Sequence, residues 1–276
     1  MSHIRIDRDG AVGILSIARR DRFNSLDVET AQDLRKAGLQ LARDREVRAV
    51  ILRGDGGVFC SGADLKYIAR GGDSEVAYLS PDARPAAPGY GKVFKQILEY
   101  IHSTISEIRR APKPWLAAVD GPTAAGGLGI AMACDLVVAT ERATFEWAYS
   151  KTGLTGAEST TFLLPRLVGF RKAMELVLLG TRLTAREAQT IGLVTEVVPD
   201  RDLDARALDL AHRLAEQPTA AVGVAKRLLN TAAGMDRLDV HLDAELAELA
   251  RIADGPNFAE GLAAFLAHRV AQFGAE

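Results

Sequence analysis

Two glycine-centred segments constrain the fold of this chain most strongly. They are residues 59–66, FCSGADLK, and residues 121–129, GPTAAGGLG. Each segment follows a short apolar run typical of a buried strand and precedes a stretch typical of a helix. Small residues at such a junction let the backbone turn sharply and leave N–H groups free to face a bound oxygen. The pair therefore predicts strands alternating with helices, and a site at the two junctions.

The two junctions admit a functional and a structural interpretation. In the functional one, the N–H groups of Ala63 and Gly126 donate to one oxyanion of a bound ligand. In the structural one, Asp64 caps a tight turn, and the second glycine run allows a helix to pack closely on a strand. The second run lacks the GxGxxG spacing of dinucleotide loops, which argues against bound NAD or FAD.

Composition bounds the class of protein. The chain has 276 residues, 48% of them apolar, which suits one large domain or one domain with an appended helical part. A formal net charge of -2 without a basic cluster argues against a nucleic-acid partner. Cys60 and Cys134 lie far apart without CxxC or histidine neighbours, which favours reduced thiols in a cytoplasmic protein over a disulfide and argues against a bound metal. The charged N-terminus is unlike a signal peptide, and no apolar run approaches the roughly 20 residues of a membrane span.

Periodicity predicts strands and helices in alternation up to residue 200, then helices alone. Apolar, β-branched runs predict strands at 4–7, 12–18, 47–52, 115–119, 136–140 and 193–198. Amphipathic spacing predicts helices at 28–43, capped by Asp27, and at 91–110, 202–215, 219–232, 236–253 and 257–269. Residues 71–89 hold three prolines and predict a surface loop near the site. These elements indicate a core of residues 1–200 and a C-terminal helical region of residues 201–276.

Six motifs stand in a specific order along the chain. They are RFNSL at 22–26, the first glycine segment, KP at 113–114 with AAVDG at 117–121, AMACD at 131–135, LPRLVG at 164–169 and AQTIGLV at 188–194. Through them the chain resembles the crotonase, or enoyl-CoA hydratase/isomerase, superfamily over most of its length. The resemblance implies a spiral ββα core, with C-terminal helices that complete the coenzyme A site and the subunit contacts. It also implies a coenzyme A thioester as substrate, no permanently bound cofactor, and a homotrimer or a dimer of trimers.

The resemblance assigns part of the site to coenzyme A. The oxyanion hole falls at Ala63 and Gly126, and Lys66 falls near the nucleotide or phosphate part of the ligand. Phe265 and His268 stand where the family uses an aromatic ring and a cation against the adenosine portion, often from a neighbouring subunit. The implied coenzyme A contacts are these: Ser61, Ala63, Asp64, Leu65, Lys66, Phe265 and His268.

The chain departs from the hydratases of this family at two positions. Those enzymes use two glutamates to handle the water that adds to the double bond, and the corresponding residues here are Gly129 and Tyr149. Glycine has no side chain to act as a base. A tyrosine with a pKa of about 10 is a poor base at neutral pH, although it can donate a proton or orient a neighbour. The two-glutamate hydration mechanism therefore does not carry over.

Glu158 is the carboxylate that the sequence offers instead. Residues 153–160, GLTGAEST, match a turn in which some isomerase-like and dehalogenase-like members carry a catalytic aspartate. That position is Ala157 here, and Glu158 follows it with a longer side chain that would reach the same space. Apolar surroundings would raise its pKa into a useful range. The alternative is that Glu158 is an acid in the first turn of a helix.

The residues around Tyr149 and the isolated histidines receive weaker assignments. Strand-like alternation puts Glu146 on the face opposite Tyr149, which argues against catalysis by Glu146, and puts Trp147 on the same face as Tyr149. Trp147 either packs on an acyl group or belongs to the core. His102 and His241 match no motif and are assigned to structure or surface.

The predicted function is the processing of an acyl-CoA through an enolate. Ala63 and Gly126 would stabilise the enolate, Glu158 would move a proton, and Tyr149 would assist. One carboxylate suits isomerisation of a double bond better than hydration, which stays open together with decarboxylation and thioester hydrolysis. The alternative from another class is a crotonase-fold protein that binds acyl-CoA without catalysis. RNA binding ranks low because the chain has no lysine-rich helix.

Overall fold

Strands and helices alternate through the first part of the chain, as the periodicity predicts. The structure is a computed structural model and describes residues 3–72 and 89–274. Its strands are β1 (Ile4–Asp9), β2 (Val12–Ile17), β3 (Ala49–Gly54), β4 (Trp115–Val119), β5 (Pro122–Ala124), β6 (Leu136–Thr140), β7 (Thr144–Glu146), β8 (Leu183–Thr184) and β9 (Glu196–Val198). The helices among them are α1 (Val28–Arg43), α2 (Leu65–Ala69), α3 (Tyr90–Arg110), α4 (Gly126–Ala133), α5 (Thr160–Val168), α6 (Phe170–Leu179) and α7 (Ala185–Thr190). Residues 73–88 of the predicted loop lie outside the described residues.

A six-stranded sheet in the order β1, β2, β3, β4, β6, β9 forms the centre of the fold. β1 and β2 form an antiparallel hairpin, and the remaining neighbours pair in parallel. β4 is buried at every residue because helices cover both faces of the sheet, as parallel sheets require. α1 and α3 pack on one face within the larger apolar core. The predicted strand at 47–52 begins two residues later and the one at 193–198 three residues later.

A ββα unit repeats along the chain. β4 joins the large sheet, β5 joins a small sheet, and α4 follows; β6, β7 and α5 repeat that order. In the first glycine segment, Cys60 forms a single bridge to Thr123 of β5 before α2 begins. This arrangement confirms the predicted α/β fold with a ββα core.

The small sheet is the part of the fold that the sequence did not predict. β5 pairs with β7 in parallel, and β7 pairs with β8 antiparallel. The strand-like stretch around Tyr149 ends at Glu146, because Ala148 adopts a left-handed conformation with a φ of 42° and a short 3₁₀ turn, Tyr149–Thr152, follows. The prediction that Glu146, Trp147 and Tyr149 alternate along one strand is therefore wrong.

Helices follow residue 200, as predicted. They are α8 (Leu203–Glu216), α9 (Thr219–Ala232), α10 (Leu238–Ala253) and α11 (Pro256–Leu266). α8 packs on the second face of the large sheet, α10 packs along α3, and Phe258 of α11 contacts the ring of Phe94 edge to face at 5.4 Å. The last helix ends three residues earlier than predicted. Within the described ranges, no helix combines the length and the apolar character needed to cross a bilayer.

Candidate active site

The two glycine segments meet at one place in the fold. A methyl group added to Gly62 would lie 2.9 Å from Cβ of Ala125 and 3.2 Å from the backbone nitrogen of Gly126. One added to Gly127 would lie 2.1 Å from the carbonyl oxygen of Cys60. Gly127 thus packs directly on the backbone of Cys60, and Gly62 lies against Ala125 with a φ of 89°, so both positions require glycine. The structure brings Ala63 and Gly126 to the same site.

The N–H groups of Ala63 and Gly126 are available to a ligand. Leu26 pairs with the residues on either side of Ala63, at 2.8 Å to the carbonyl oxygen of Gly62 and 2.8 Å from the N–H of Asp64, so the Ala63 N–H faces away from this bridge. Gly126 is the first residue of α4, where an N–H has no partner inside the helix. Neither group has an acceptor among residues 3–72 and 89–274.

Ala125, just before α4, has a strained backbone. Its φ of 47° and ψ of -117° lie outside the regions that residues with a Cβ usually adopt. Its own N–H donates to the carbonyl oxygen of Glu146 at 3.1 Å, and its carbonyl oxygen accepts from the N–H of Gly129 at 3.2 Å. These two hydrogen bonds fix the orientation of the peptide that carries the Gly126 N–H. Strain held by its surroundings in this way is typical of functional sites.

The Glu158 carboxyl group lies beside Gly126. A methyl group added to Gly126 would be 2.7 Å from Oε1 and 2.9 Å from Cδ of Glu158. The hydroxyl of Tyr149 donates to Oε2 of Glu158 at 2.5 Å. The structure therefore brings all four residues assigned to catalysis from the sequence, Ala63, Gly126, Glu158 and Tyr149, into one site; their catalytic roles stay a prediction.

Burial shifts the titration of both side chains. Glu158 is 3% exposed, and this burial raises its pKa to about 7, with the hydrogen bond from Tyr149 opposing the rise and the nearby Glu245 adding to it. Burial and the adjacent Glu158 raise the pKa of Tyr149 well above its ordinary value. At neutral pH the tyrosine is therefore a hydrogen-bond donor, and the glutamate can both take up and release a proton.

The backbone at Glu158 is held in an uncommon conformation. Glu158 and Ser159 have φ values of 50° and 65°, so two consecutive residues with side chains are left-handed. The N–H of Glu158 donates to Nε2 of His102 at 3.2 Å, and that of Ser159 donates to Oε2 of Glu245 at 2.8 Å. Burial lowers the pKa of His102 to about 4, so its neutral ring can accept this hydrogen bond. Glu158 precedes α5, so it does not lie in the first helical turn as the structural alternative proposed.

Gly129, where the family's hydratases carry a glutamate, is filled by another residue's backbone. A methyl group added to Gly129 would lie 2.0 Å from the carbonyl oxygen and 2.9 Å from Cβ of Glu158. Glu158 can therefore occupy its position only because residue 129 has no side chain.

Asp64, one of the implied coenzyme A contacts, already has protein partners. It caps α2 by accepting from the N–H of Tyr67 at 3.0 Å, and it pairs with Arg22 at 2.7 Å and Arg19 at 2.9 Å. Although burial works in the opposite direction, the hydrogen bonds from Arg22, Tyr67 and Arg19 lower the pKa of Asp64. Its carboxylate thus shapes the first junction.

The other implied coenzyme A contacts lie at the edge of the site. Lys66 is exposed on α2, and Ser61 and Leu65 are half-buried. Phe265 and His268 are exposed at the end of α11, which packs beside α2 and the turn Tyr149–Thr152 of the same chain. Their contacts with coenzyme A stay a prediction.

Glu146 and Trp147 belong to the surrounding structure. The Glu146 carboxylate pairs with Arg182 at 2.9 Å and also with Lys151. Trp147 is buried, with its ring centroid 5.0 Å from that of Tyr149. Trp147 therefore packs against Tyr149 as part of the core, which is the second of the two roles considered for it from the sequence.

His102 and Glu245 were not identified from the sequence as site residues. Each occupies the apolar face of a helix, His102 between Leu98 and Ile105 on α3, and Glu245 between Leu242 and Leu249 on α10. A polar side chain on such a face needs a buried partner. That pattern was the available signal, although it does not say which partner is used.

Known proteins resemble this chain over nearly its whole length. The family model for enoyl-CoA hydratase/isomerase matches residues 7–86 and 91–276. The 4-chlorobenzoyl coenzyme A dehalogenase-2 of Arthrobacter sp is 33% identical over 263 residues, which cover 95% of this chain and 90% of the relative. The 1,2-epoxyphenylacetyl-CoA isomerase of Escherichia coli strain K12 is 34% identical over 273 residues, 99% of this chain and 97% of the relative. A solved enoyl-CoA hydratase from Mycobacterium avium subsp. paratuberculosis K-10 superposes with a TM-score of 0.85 at 30% identity, covering 99% of both chains.

Proposed function

This chain belongs to the enoyl-CoA hydratase/isomerase family and is an enzyme of that family, and on this premise we propose that it isomerises the double bond of an enoyl-CoA through an enolate. One observation carries the proposal. The Glu158 carboxyl group lies beside Gly126, accepts a hydrogen bond from Tyr149, and has a pKa raised to about 7 by burial. An acid–base group is most effective when its pKa is close to the working pH.

The proposed reaction needs only the groups of the site. The thioester oxygen would bind between the N–H groups of Ala63 and Gly126, and each such donor is worth about 3–4 kcal/mol to the developing oxyanion. Tyr149 donates to Oε2 of Glu158, which leaves Oε1, on the Gly126 side, to accept the proton. Glu158 would take a proton from the α carbon of a 3-enoyl-CoA and return it to the γ carbon of the dienolate. The proton and the electron pair balance within the substrate.

Hydration is the second candidate, because relatives of this chain are named as probable enoyl-CoA hydratases. Adding water by the family's two-glutamate route requires a second carboxylate to hold and deprotonate the water. Gly129 and Tyr149 do not supply one, and the space at Gly129 is filled by the backbone of Glu158. Isomerisation needs a single proton carrier, which Glu158 can provide, and it therefore fits the residues of the site better than hydration does.

The proposal is tested with panels of 2-enoyl- and 3-enoyl-CoA thioesters in D₂O, followed by mass spectrometry and proton NMR. We expect the double bond to move without a change in elemental composition, and solvent deuterium to appear at the α or γ carbon. A product heavier by one water would show hydration instead. A panel that also holds 4-chlorobenzoyl-CoA would reveal halide displacement. Tight binding of the thioesters with no turnover of any of them would contradict the enzymatic proposal.

We propose that coenzyme A enters only as part of the substrate, in a cytoplasmic enzyme. Its adenosine end would lie along the exposed ends of α2 and α11, where Lys66 and His268 offer polar groups and Phe265 offers a ring. Both cysteines, Cys60 and Cys134, are buried free thiols, which supports a reducing compartment.

We also propose that the enzyme assembles as a homotrimer or a dimer of trimers. On α6 the side chains of Phe170, Met174 and Leu178 are 72%, 39% and 69% exposed. Their spacing of four places them on one helix face, and an exposed apolar face of this kind is typical of a subunit contact. A second copy of this chain is the proposed occupant, in keeping with the family resemblance.

Sedimentation velocity tests the assembly. We expect the native chain to sediment as three or six copies, and the double variant Phe170→Asp, Leu178→Asp to sediment as a lighter species. Val240, which is 75% exposed on α10, provides the control, because Val240→Asp changes an apolar side chain outside this face. A native monomer would contradict the proposal, and an unchanged mass in the double variant would show that α6 is not the contact.

A further inference from the structure

We propose that Glu245, on α10 of the C-terminal region, is a positioning residue that holds Glu158 in place for proton transfer. This inference rests on the proposed function, since it assigns to Glu245 a role in the orientation of the proposed proton carrier. Glu245 lies 87 positions further along the chain and is 5% exposed. Its hydrogen bonds go to the backbone that follows Glu158, so it would act on Glu158 through that backbone.

The carboxylate of Glu245 accepts hydrogen bonds from residues at the start of α5. Its Oε2 accepts from the N–H of Ser159 at 2.8 Å. Its Oε1 accepts from the N–H of Thr161 at 2.9 Å and from the hydroxyl of Thr161 at 2.5 Å. The carboxylate therefore binds the free N–H groups of a helix N-terminus, where a negative charge is favoured. The first of these N–H groups belongs to the residue that directly follows Glu158.

A serine at this position would ordinarily cap the helix itself. The N-cap of α5 is Ser159, but its left-handed backbone prevents the usual cap, and its hydroxyl has no partner within the described parts of the chain. A local cap would require Ser159 to return to an extended conformation, which would redirect the adjoining Glu158. The left-handed backbone of Glu158 and Ser159 thus prevents a cap by the Ser159 side chain. Glu245, which is distant in the sequence, caps the helix instead.

A buried carboxylate is a costly way to cap a helix, which argues for a role beyond folding. Burial penalises the charge of Glu245 and raises its pKa, while the donors at Thr161 and Ser159 oppose that rise. The same charge acts on Glu158 and contributes to its raised pKa. Glu245 therefore influences both the orientation and the titration of Glu158.

Several other titratable groups face this pair. Glu158 is contacted by Tyr149 and His102, and the buried thiol of Cys60, with a pKa raised to about 12 by burial, is neutral. On the far side of Glu245, Nε2 of His241 lies 3.8 Å from Oε1. Burial, and then the charges of Arg166 and Arg237, lower the pKa of His241. Glu245→Gln removes one acid from this described set and leaves the other titratable groups unchanged.

The test compares Glu245→Gln and Glu245→Ala with the native enzyme, with Glu248→Gln as the matched control on an exposed position of the same helix. Gln has the same shape but no charge, and its amide nitrogen cannot accept from one of the two backbone N–H groups. We expect kcat to fall about tenfold in the Gln variant and further in the Ala variant, with KM within about twofold, since only the orientation of the proton carrier changes. Glu248→Gln should behave as the native enzyme does.

The second readout is the titration of Glu158, followed by carboxyl ¹³C NMR and by the pH profile of kcat/KM. Removal of the neighbouring negative charge should move the pKa of Glu158 and the matching limb of the profile down by about half a unit or more. If Glu245 only stabilises the start of α5, kcat stays at the native value. Unchanged kcat and an unchanged pKa in Glu245→Gln would overturn the proposal, even if Glu245→Ala does not fold.

The two proposals fail in different ways. If Glu158→Gln keeps native turnover, Glu158 is not the proton carrier, and the proposed function fails while the NMR titration still reports whether Glu245 acts on Glu158. If Glu158→Gln is inactive but Glu245→Gln is native in both readouts, the proposed function stands and the role of Glu245 is refuted.

Discussion

Glu158→Gln is expected to lower kcat for an enoyl-CoA about a thousandfold, within the range that general acid–base groups contribute. The amide keeps the shape of the side chain and can still accept from Tyr149, so the site should remain assembled. KM should change little, because the N–H groups of Ala63 and Gly126 still bind the thioester oxygen. Steady-state kinetics on the substrate identified by the thioester panels measures both constants.

The same substitution should stabilise the protein at high pH. The pKa of Glu158 rises on folding from its ordinary 4.5 to about 7. The protein is therefore more stable when Glu158 is protonated than when it is ionised. That contribution is fully present below pH 4.5 and is lost as the pH rises through 7. The Gln variant has no such loss, so its advantage over the native enzyme should grow by about 3 kcal/mol between pH 4 and pH 8.5. Urea unfolding at the two pH values measures it.

Glu146→Gln is the control for both measurements, because it changes another buried glutamate of the same region. Its carboxylate pairs with Arg182 and Lys151 and does not contact Glu158 within the described structure. We expect turnover within a few-fold of native and some loss of stability from the broken pairs. Near-native turnover in Glu158→Gln, or an unfolding free energy that follows the native enzyme at every pH, would show that Glu158 is not the buried proton carrier.

The large elements of the fold could be predicted because their signals are local. Asp27 caps α1 by accepting from the N–H of Thr30 at 2.8 Å, and the run at 115–119 is a buried strand at the predicted residues. The small sheet could not, because β5 and β8 have three and two residues and depend on partners distant in the chain. Patterns of period two do not develop over so few residues.

The candidate site could likewise be predicted only in part. Ala63, Gly126, Tyr149 and Glu158 were predicted together, from glycine-rich junctions and a family resemblance that fixes their order. The role of Glu245 was not, since its partner is a backbone N–H 86 positions away and the contact depends on a left-handed backbone. A glutamate on an apolar helix face signals a buried partner, but when that partner is a backbone N–H, no side chain in the sequence identifies it.

Gly129→Glu, which restores the residue type that the family's hydratases carry there, is expected to damage this enzyme and not to create a hydratase. Any Cβ at this position would lie 2.0 Å from the carbonyl oxygen of Glu158, so the chain at Glu158 must move. Overpacking against side chains costs about 1–3 kcal/mol, and backbone gives way less easily, so we expect a larger loss of unfolding free energy together with the loss of isomerisation. Gly129→Ala should show most of the same effect, because the first carbon already collides.

Gly38→Ala is the matched control, since Gly38 also lies inside a helix but has room for a methyl group, with its nearest neighbour Cγ2 of Thr104 at 3.4 Å. The gain in helix propensity there is about 1 kcal/mol, so this variant should be as stable as the native enzyme or more so, with native activity. Opposite outcomes at the two glycines would attribute the effect to the backbone of Glu158. A folded Gly129→Glu enzyme that hydrates 2-enoyl-CoA would instead show that this backbone can yield, and that one fold can hold either the hydratase glutamate or Glu158 at little cost.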